Sequence, residues 1–244
     1  GGRTKYFGYR RGNSEPFGAG PTLRAFGAEM MDAEGKKCLF DANDGLKQFL
    51  QFRYDVIHTY KCSPSPATGQ YNDFEEFLAG RLGALDIWPW FIQIWPEQIG
   101  DKFQVDFVET PKGPTGKRRT MLNEHTLGIF QAAPNPQGAW EFCKWACSEE
   151  LCVKRVMDGM GGPNAQVGVW NNKEIIAKFP AYGIVARIMS EVEPDWRCAN
   201  FRGEDVGPAF AQPYGAVEAG EMPVDEAVKT ITDGVNAALQ LPVA

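Results

Sequence analysis

The sequence predicts an α/β fold, and three observations carry that expectation. Short apolar stretches with period-two alternation, such as Phe103 to Val108, recur between segments whose apolar residues return at helical spacing. Glycine- and proline-rich turn runs punctuate them: Glu34-Gly35, Ser63-Pro-Ser-Pro66 and Gly113-Pro-Thr-Gly116. Gly159 to Pro163 then breaks the pattern completely, which marks a lobe boundary or hinge. At 244 residues, one large domain and two lobes are both admissible.

In chain order, Lys5 to Tyr9 reads as a strand ended by the polar run from Arg10 to Ser14. Pro21 suits the first turn of a helix that ends near Gly27 and carries Leu23, Phe26 and Met30 on its apolar face. Met31 to Phe40 reads as a hairpin turning at Glu34-Gly35. Asp41 or Asn43 caps a long helix reaching about His58, with Leu46, Phe49, Leu50, Tyr54, Val56 and Ile57 as its apolar positions. A shorter helix, Tyr71 to Leu78, runs into Gly80, and the apolar strand Leu82 to Ile87 follows. Phe91 to Ile99 continues as a helix or turn around Pro96.

Phe103 to Val108 predicts a strand that stops in a wide turn, and Thr120 to Gln131 predicts another, interrupted by Asn123-Glu124-His125. After Pro134-Asn-Pro136, the residues Ala139, Trp140, Phe142, Cys143 and Ala146 mark the apolar face of a helix. Ser148 opens the next helix, Leu151 to Met157. Helices are expected over Ala181 to Ser190, Phe210 to Ala219 and Val224 to Leu239, with a loop carrying Trp196, Arg202 and Pro208 among them.

Trp88-Pro89-Trp90 is the most informative stretch. Proline fixes the middle φ and biases Trp88 toward an extended conformation, so both indoles at the strand's C-terminal edge are held with little freedom left to lose. A rigid aromatic platform suits a hydroxylated ligand, because a sugar's C–H face stacks on indole while its hydroxyls seek polar groups. The competing reading is a core tryptophan pair under a loop.

Composition excludes several classes. The 43% apolar content supports a sizeable core, and a net charge of −6 disfavours nucleic acid and anionic membrane as partners. No run of about eighteen apolar residues is present. Six cysteines are too few for a disulfide scaffold at this length, none forms a Cys-x-x-Cys pair, and they read as small buried residues. With only His58 and His125 there is no metal-ligand spacing, and no nucleophile elbow or phosphate loop is present, so neither metal nor cofactor is implied. A glycoside-processing enzyme is the rival function: it needs two carboxylates across the scissile bond, and Asp86 with Glu15 could be imagined so.

With the elements in order, the sequence resembles the extracellular solute-binding proteins that serve ABC importers of sugars, a resemblance covering nearly the whole chain. Its pieces are the hairpin from Gly27 to Phe40, Phe77-x-x-Gly80 with Ala84-Leu-Asp-Ile-Trp-Pro-Trp90, and Phe103 to Gly116. Leu127-Gly-Ile129, the helix Ala139-Trp-Glu-Phe142 and Ala219-Gly-x-x-Pro-Val-Asp-Glu-Ala227 follow in the same order.

The resemblance implies a periplasmic-binding-protein type II-like fold of two α/β lobes and a non-enzymatic role, binding a sugar or related polar solute in an inter-lobe cleft for an ABC permease. It places the protein in the periplasm or outside the cell. Residues 1–103 and 161–244 would form the second, C-terminal lobe, and 104–160 a return segment of the first. It also implies that the chain is a fragment lacking most of the first lobe, with apolar surface left exposed and self-association as the consequence. A single-lobe interaction module without ligand is the further alternative.

Carried over by position, Trp90 takes the sugar-stacking place with Trp88 beside it, and Glu15 with Phe17 resembles a ligand-contacting Glu-Pro-aromatic segment. His125 falls where members have an aromatic contact, and Arg202 and Trp196 would line the cleft from the late loop.

Overall fold

A computed structural model describes residues 6–10, 16–66, 72–122, 126–161, 165–189, 192–194 and 196–244, with the backbone alone at 16–18, 121–122 and 192–194. Along the chain the elements are β1 (Phe7–Arg10), α1 (Pro16–Ala25), α2 (Gly45–Tyr54) continuing as a π-helical turn (Asp55–Thr59), α3 (Asp73–Leu78) and β2 (Leu82–Leu85). Next come α4 (Phe91–Ile99), β3 (Thr120–Leu122), α5 (Pro136–Ala146), α6 (Glu149–Met157), α7 (Val167–Trp170) and α8 (Lys173–Lys178). The chain closes with α9 (Tyr182–Ile188), β4 (Val192–Pro194), α10 (Gly203–Ala219) and α11 (Val224–Leu239).

Packing divides the chain into two compact units. The first is Gly1–Asp86, Thr110–Leu122 and Glu191–Ala244, and the second Ile87–Glu109 and Asn123–Ser190. The lobe limits expected near residues 103 and 160 are not the limits of these units. Ile92 and Phe107 share one apolar cluster with Val169, Ile175, Tyr182 and Val185, so the chain on both sides of those positions packs together.

In the first unit β1 and β2 run parallel, with Phe7 opposite Leu82 and Tyr9 opposite Ala84. Parallel pairing requires a long crossover, which α1, the hairpin, α2 and α3 supply. The strands approach closely at two glycines: a Cβ on Gly83 would stand 2.9 Å from the Gly8 carbonyl oxygen. The hairpin closes as expected, with Met31 bridged to Cys38 and Gly35 in the left-handed region at φ 68°. Asn43, not Asp41, meets the start of α2, its Oδ1 accepting from the Gly45 amide at 2.7 Å. A second parallel pair joins β3 to β4.

The core of this unit follows from two periodicities meeting. Leu46, Phe49 and Leu50 of α2 pack with Val206, Phe210, Tyr214 and Val217 of α10 and with Ile231, Val235 and Leu239 of α11. Phe49 and Tyr214 stack with centroids 5.9 Å apart. Inside this core lies an ion pair: Arg53 Nε donates to Glu218 Oε1 at 2.9 Å and Nη2 at 2.5 Å, and Tyr214 Oη donates to the same oxygen at 2.6 Å. Burial alone would pull the Arg53 guanidinium down; the facing Tyr214 and Glu218 outweigh it and hold it fully charged.

The second unit is built on a smaller cluster, Ile92, Cys152, Val156, Val169, Ile175, Tyr182 and Val185. Among the described residues, no helix is long and apolar enough to cross a membrane.

Several local expectations are corrected. Pro21 stands inside α1, because Pro16 already starts the helix; α1 ends at Ala25, and Met30 is buried in the hairpin rather than on a helix face. Residues 103–108 keep their alternating exposure but join no ladder among the described residues. Of the strand expected over Thr120 to Gln131, the described residues show β3, and 126–131 are not in a strand. Helix α10 begins at Gly203 with Pro208 and Pro213 inside it, since the buried spacing of Val206, Phe210, Pro213, Tyr214 and Val217 outweighs two helix breakers. Cys147 is exposed rather than buried.

Candidate functional site

The C-terminal ends of the parallel strands are where an α/β sheet presents backbone and side chains to a ligand, and in the first unit this edge is polar. Tyr9 and Arg10 end β1, and Asp86 follows β2, its amide reaching the Arg10 carbonyl at 3.4 Å. Tyr9 Oη donates to Asp86 Oδ2 at 3.0 Å. Arg10 Nε donates to Asp73 Oδ1 at 3.1 Å and its Nη1 to the Pro64 carbonyl at 3.3 Å. Partial burial pushes the Asp73 carboxyl up, against the opposing pull of Arg10. The sequence reading used Asp86 only for the rival hydrolase and missed Tyr9, Arg10 and Asp73. Their place at the end of a first predicted strand was the available clue.

The aromatic pair belongs to the second unit. A turn hydrogen bond from the Phe91 amide to the Trp88 carbonyl at 3.1 Å folds Trp88-Pro89-Trp90 into the start of α4, which Trp90 immediately precedes. The indoles of Trp88 and Trp90 lie parallel, centroids 5.3 Å apart and planes 3° from coplanar. They spend one face on each other. Trp90 stays 36% exposed while Trp88 is half-buried. Behind them Phe91 packs against the buried Trp95, with centroids 4.5 Å apart, which anchors the turn to the unit's interior.

Trp196 and Arg202 lie in the first unit. The Trp196 ring is buried; its Nε1 donates to Glu29 Oε2 at 3.0 Å, Arg24 covers one face at 4.6 Å, and Phe40 meets it edge-on. This is the environment of a core tryptophan that anchors the late loop. Arg202 precedes α10, and its Nε donates to the Pro242 carbonyl at 3.0 Å, which ties down the C-terminal segment. Glu15 and His125 lie outside the described residues, and Phe17 is described by its backbone alone. Of the residues singled out from sequence, Trp88 and Trp90 are the two seen together.

A family model described as bacterial extracellular solute-binding protein matches residues 10–151. Among solved structures, the chain is similar to the maltose-bound MalE3 of T. maritima at 19% identity and a TM-score of 0.79, covering 95% of this chain and 60% of that one. It is similar to the cyclic alpha-maltosyl-1,6-maltose binding protein of Arthrobacter globiformis at 20% identity and a TM-score of 0.76, covering 97% and 60%. The GacH receptor of Streptomyces glaucescens, solved unliganded and with acarbose, matches at 17% identity and a TM-score of 0.79, covering 98% and 61%. The chain spans about 60% of the length of each of these structures.

Proposed function

Because the chain belongs to the bacterial extracellular solute-binding protein family, we propose that it binds a sugar or closely related polyhydroxylated solute, without catalysis, as part of the uptake apparatus of an ABC-type importer. Its fold is the α/β fold of type II periplasmic binding proteins. The working place of such a protein is the periplasm or the cell exterior, and in a full-length protein its macromolecular partner is the permease. The first unit, which unites both ends of the chain, corresponds to the relatives' second lobe; the second unit contains the return excursion into their first.

One observation carries the ligand class: an indole pair fixed by Pro89 and stacked at 5.3 Å, with Trp90 part-exposed. Stacking on Trp88 leaves the outer indole pre-oriented, so little freedom is lost when a pyranose C–H face settles on it.

The test is calorimetric titration of the chain with a panel of mono- and oligosaccharides, repeated on Trp90→Ala. Saccharide binding that weakens at least about tenfold, or ~1.4 kcal/mol, in the variant is the expected result. Binding indifferent to Trp90→Ala removes the indole from the site, and no heat from any saccharide overturns the ligand class.

A further inference from the structure

We infer that Gln93 is the positioning residue of the aromatic platform: its amide, donating to the Gly161 carbonyl and the Tyr182 hydroxyl, sets the orientation in which α4 presents Trp88 and Trp90 to a ligand. Gln93 lies in the first turn of α4, three residues beyond Trp90, and is buried. Its Nε2 reaches the Gly161 carbonyl at 2.5 Å and also meets the Tyr182 hydroxyl. A carbonyl oxygen can only accept, so the nitrogen must face Gly161 and the direction of the amide is fixed.

Both acceptors are themselves held in place. The Gly159 amide donates to the Val156 carbonyl at 3.1 Å and the Met160 amide to the Arg155 carbonyl at 2.8 Å, which closes α6 in a left-handed turn at Gly159, φ 73°, and delivers Gly161 directly after it. Tyr182 opens α9 and is buried in the unit's apolar cluster. Gln93 therefore ties α4 to the end of α6 and to the start of α9. Toward the indoles, the amides of Phe91, Ile92 and Gln93 donate to the carbonyls of Trp88, Pro89 and Trp90 at 3.1, 3.2 and 3.3 Å. These bonds join the aromatic turn to the first turn of α4, so a rotation of the helix carries both rings with it.

A polar side chain at this place has a cost. Gln93 Oε1 has no hydrogen-bond partner among the described residues, and an unpaired buried carbonyl oxygen destabilises a fold. Methionine would fill the same length without that cost. Ile92 and Trp95 already bury this side of α4, but apolar burial is non-directional. Hydrogen bonds prefer a narrow range of angles. The Gln93 amide thus supplies a rotational setting that packing alone does not.

Ligand presentation rests on the saccharide reading above, whereas the orientation of the indoles is read without any ligand. Parallel rings 5.3 Å apart couple their electronic transitions and give a paired circular-dichroism band, identified as the component lost in Trp88→Phe. Gln93→Met should lose most of that component and weaken saccharide binding about three- to tenfold. Tyr182→Phe, which leaves the Gly161 bond in place, should do less of both. Val156→Ala, buried in the same cluster, is the control: it loosens the unit and should leave the band as it is. Urea unfolding shows that each variant is folded. An unchanged band in Gln93→Met, or an equal loss in Val156→Ala, overturns the positioning role. Loss of the band with saccharide binding unaltered overturns its part in ligand presentation. A wild type that binds no saccharide ends the saccharide reading instead, and the band still decides what Gln93 does.

Discussion

In the first unit α11 lays Ile231, Val235 and Leu239 into a core shared with α10 and α2, whereas in the second unit α5 buries none of its 11 residues. Both helices carry apolar residues at helical spacing. Fully burying one large apolar side chain stabilises by about 1.5–3 kcal/mol, so the two helices stand in very different energetic positions. The contrast teaches that an amphipathic pattern states which face is available for burial. Whether anything meets that face depends on partners remote in the chain. The polar interiors differ too: the first unit holds a hydrogen-bonded ion pair, while the second holds Gln93 donating to the Tyr182 hydroxyl.

The largest expected effect strikes the first unit. Glu218→Ala leaves the Arg53 guanidinium uncompensated in the core and takes an acceptor from Tyr214, and the unit should lose about 3–5 kcal/mol. Hydrogen exchange of α10 and α11 amides across a urea series measures it; a loss below about 1 kcal/mol would mean that water or another group reaches Arg53.

Next comes an alkaline sensitivity specific to the second unit. Burial pushes the Tyr182 hydroxyl up to about 12, with Gln93 pulling the other way. The sign follows from linkage: the neutral phenol is favoured in the fold, so this stability is fully present below the unfolded value near 10. It is lost as pH rises through 12, amounting to about 2–3 kcal/mol. Tyr182→Phe should remove this component. Of the seven tryptophans only Trp196 lies in the first unit, so intrinsic fluorescence follows the second unit almost alone.

The smallest effect sharpens the comparison at α5 itself. Asn135 Oδ1 accepts from the Gly138 amide at 2.9 Å, and Asn135→Ala should cost about 1 kcal/mol. With no fully buried residue to hold α5, that loss should appear as faster amide exchange confined to the first turn. Unchanged exchange would show that something other than the cap pins the helix.

Much of the fold was legible because its cues are local. Ser148 caps α6, Gly35 turns the hairpin, and Val228 to Leu239 recur at helical spacing, each within one turn or one helix. The misses share a cause. Pro208 reads as part of a loop, yet α10 runs through it because the helix's other residues are buried by α2 and α11. Residues 103–108 alternate as a strand should, but a strand also needs a neighbour, and no local pattern states whether one exists. At the site, the rigidity of Trp88-Pro89-Trp90 was readable from proline chemistry; that the indoles stack on each other was not. Trp196 looked like a cleft residue only because its partners Arg24, Glu29 and Phe40 lie far upstream.

Sequence by itself determined the local caps and turns, the order of short motifs that marks the family, and the stiffness of the aromatic turn, since backbone propensity, capping and proline geometry act over a few residues. The tertiary structure alone decided which apolar faces are covered, that Trp196 is a core residue, and that Tyr9, Arg10, Asp73 and Asp86 meet at one sheet edge. Burial and side-chain convergence are sums over residues distant in the chain, and only the folded arrangement brings them within reach.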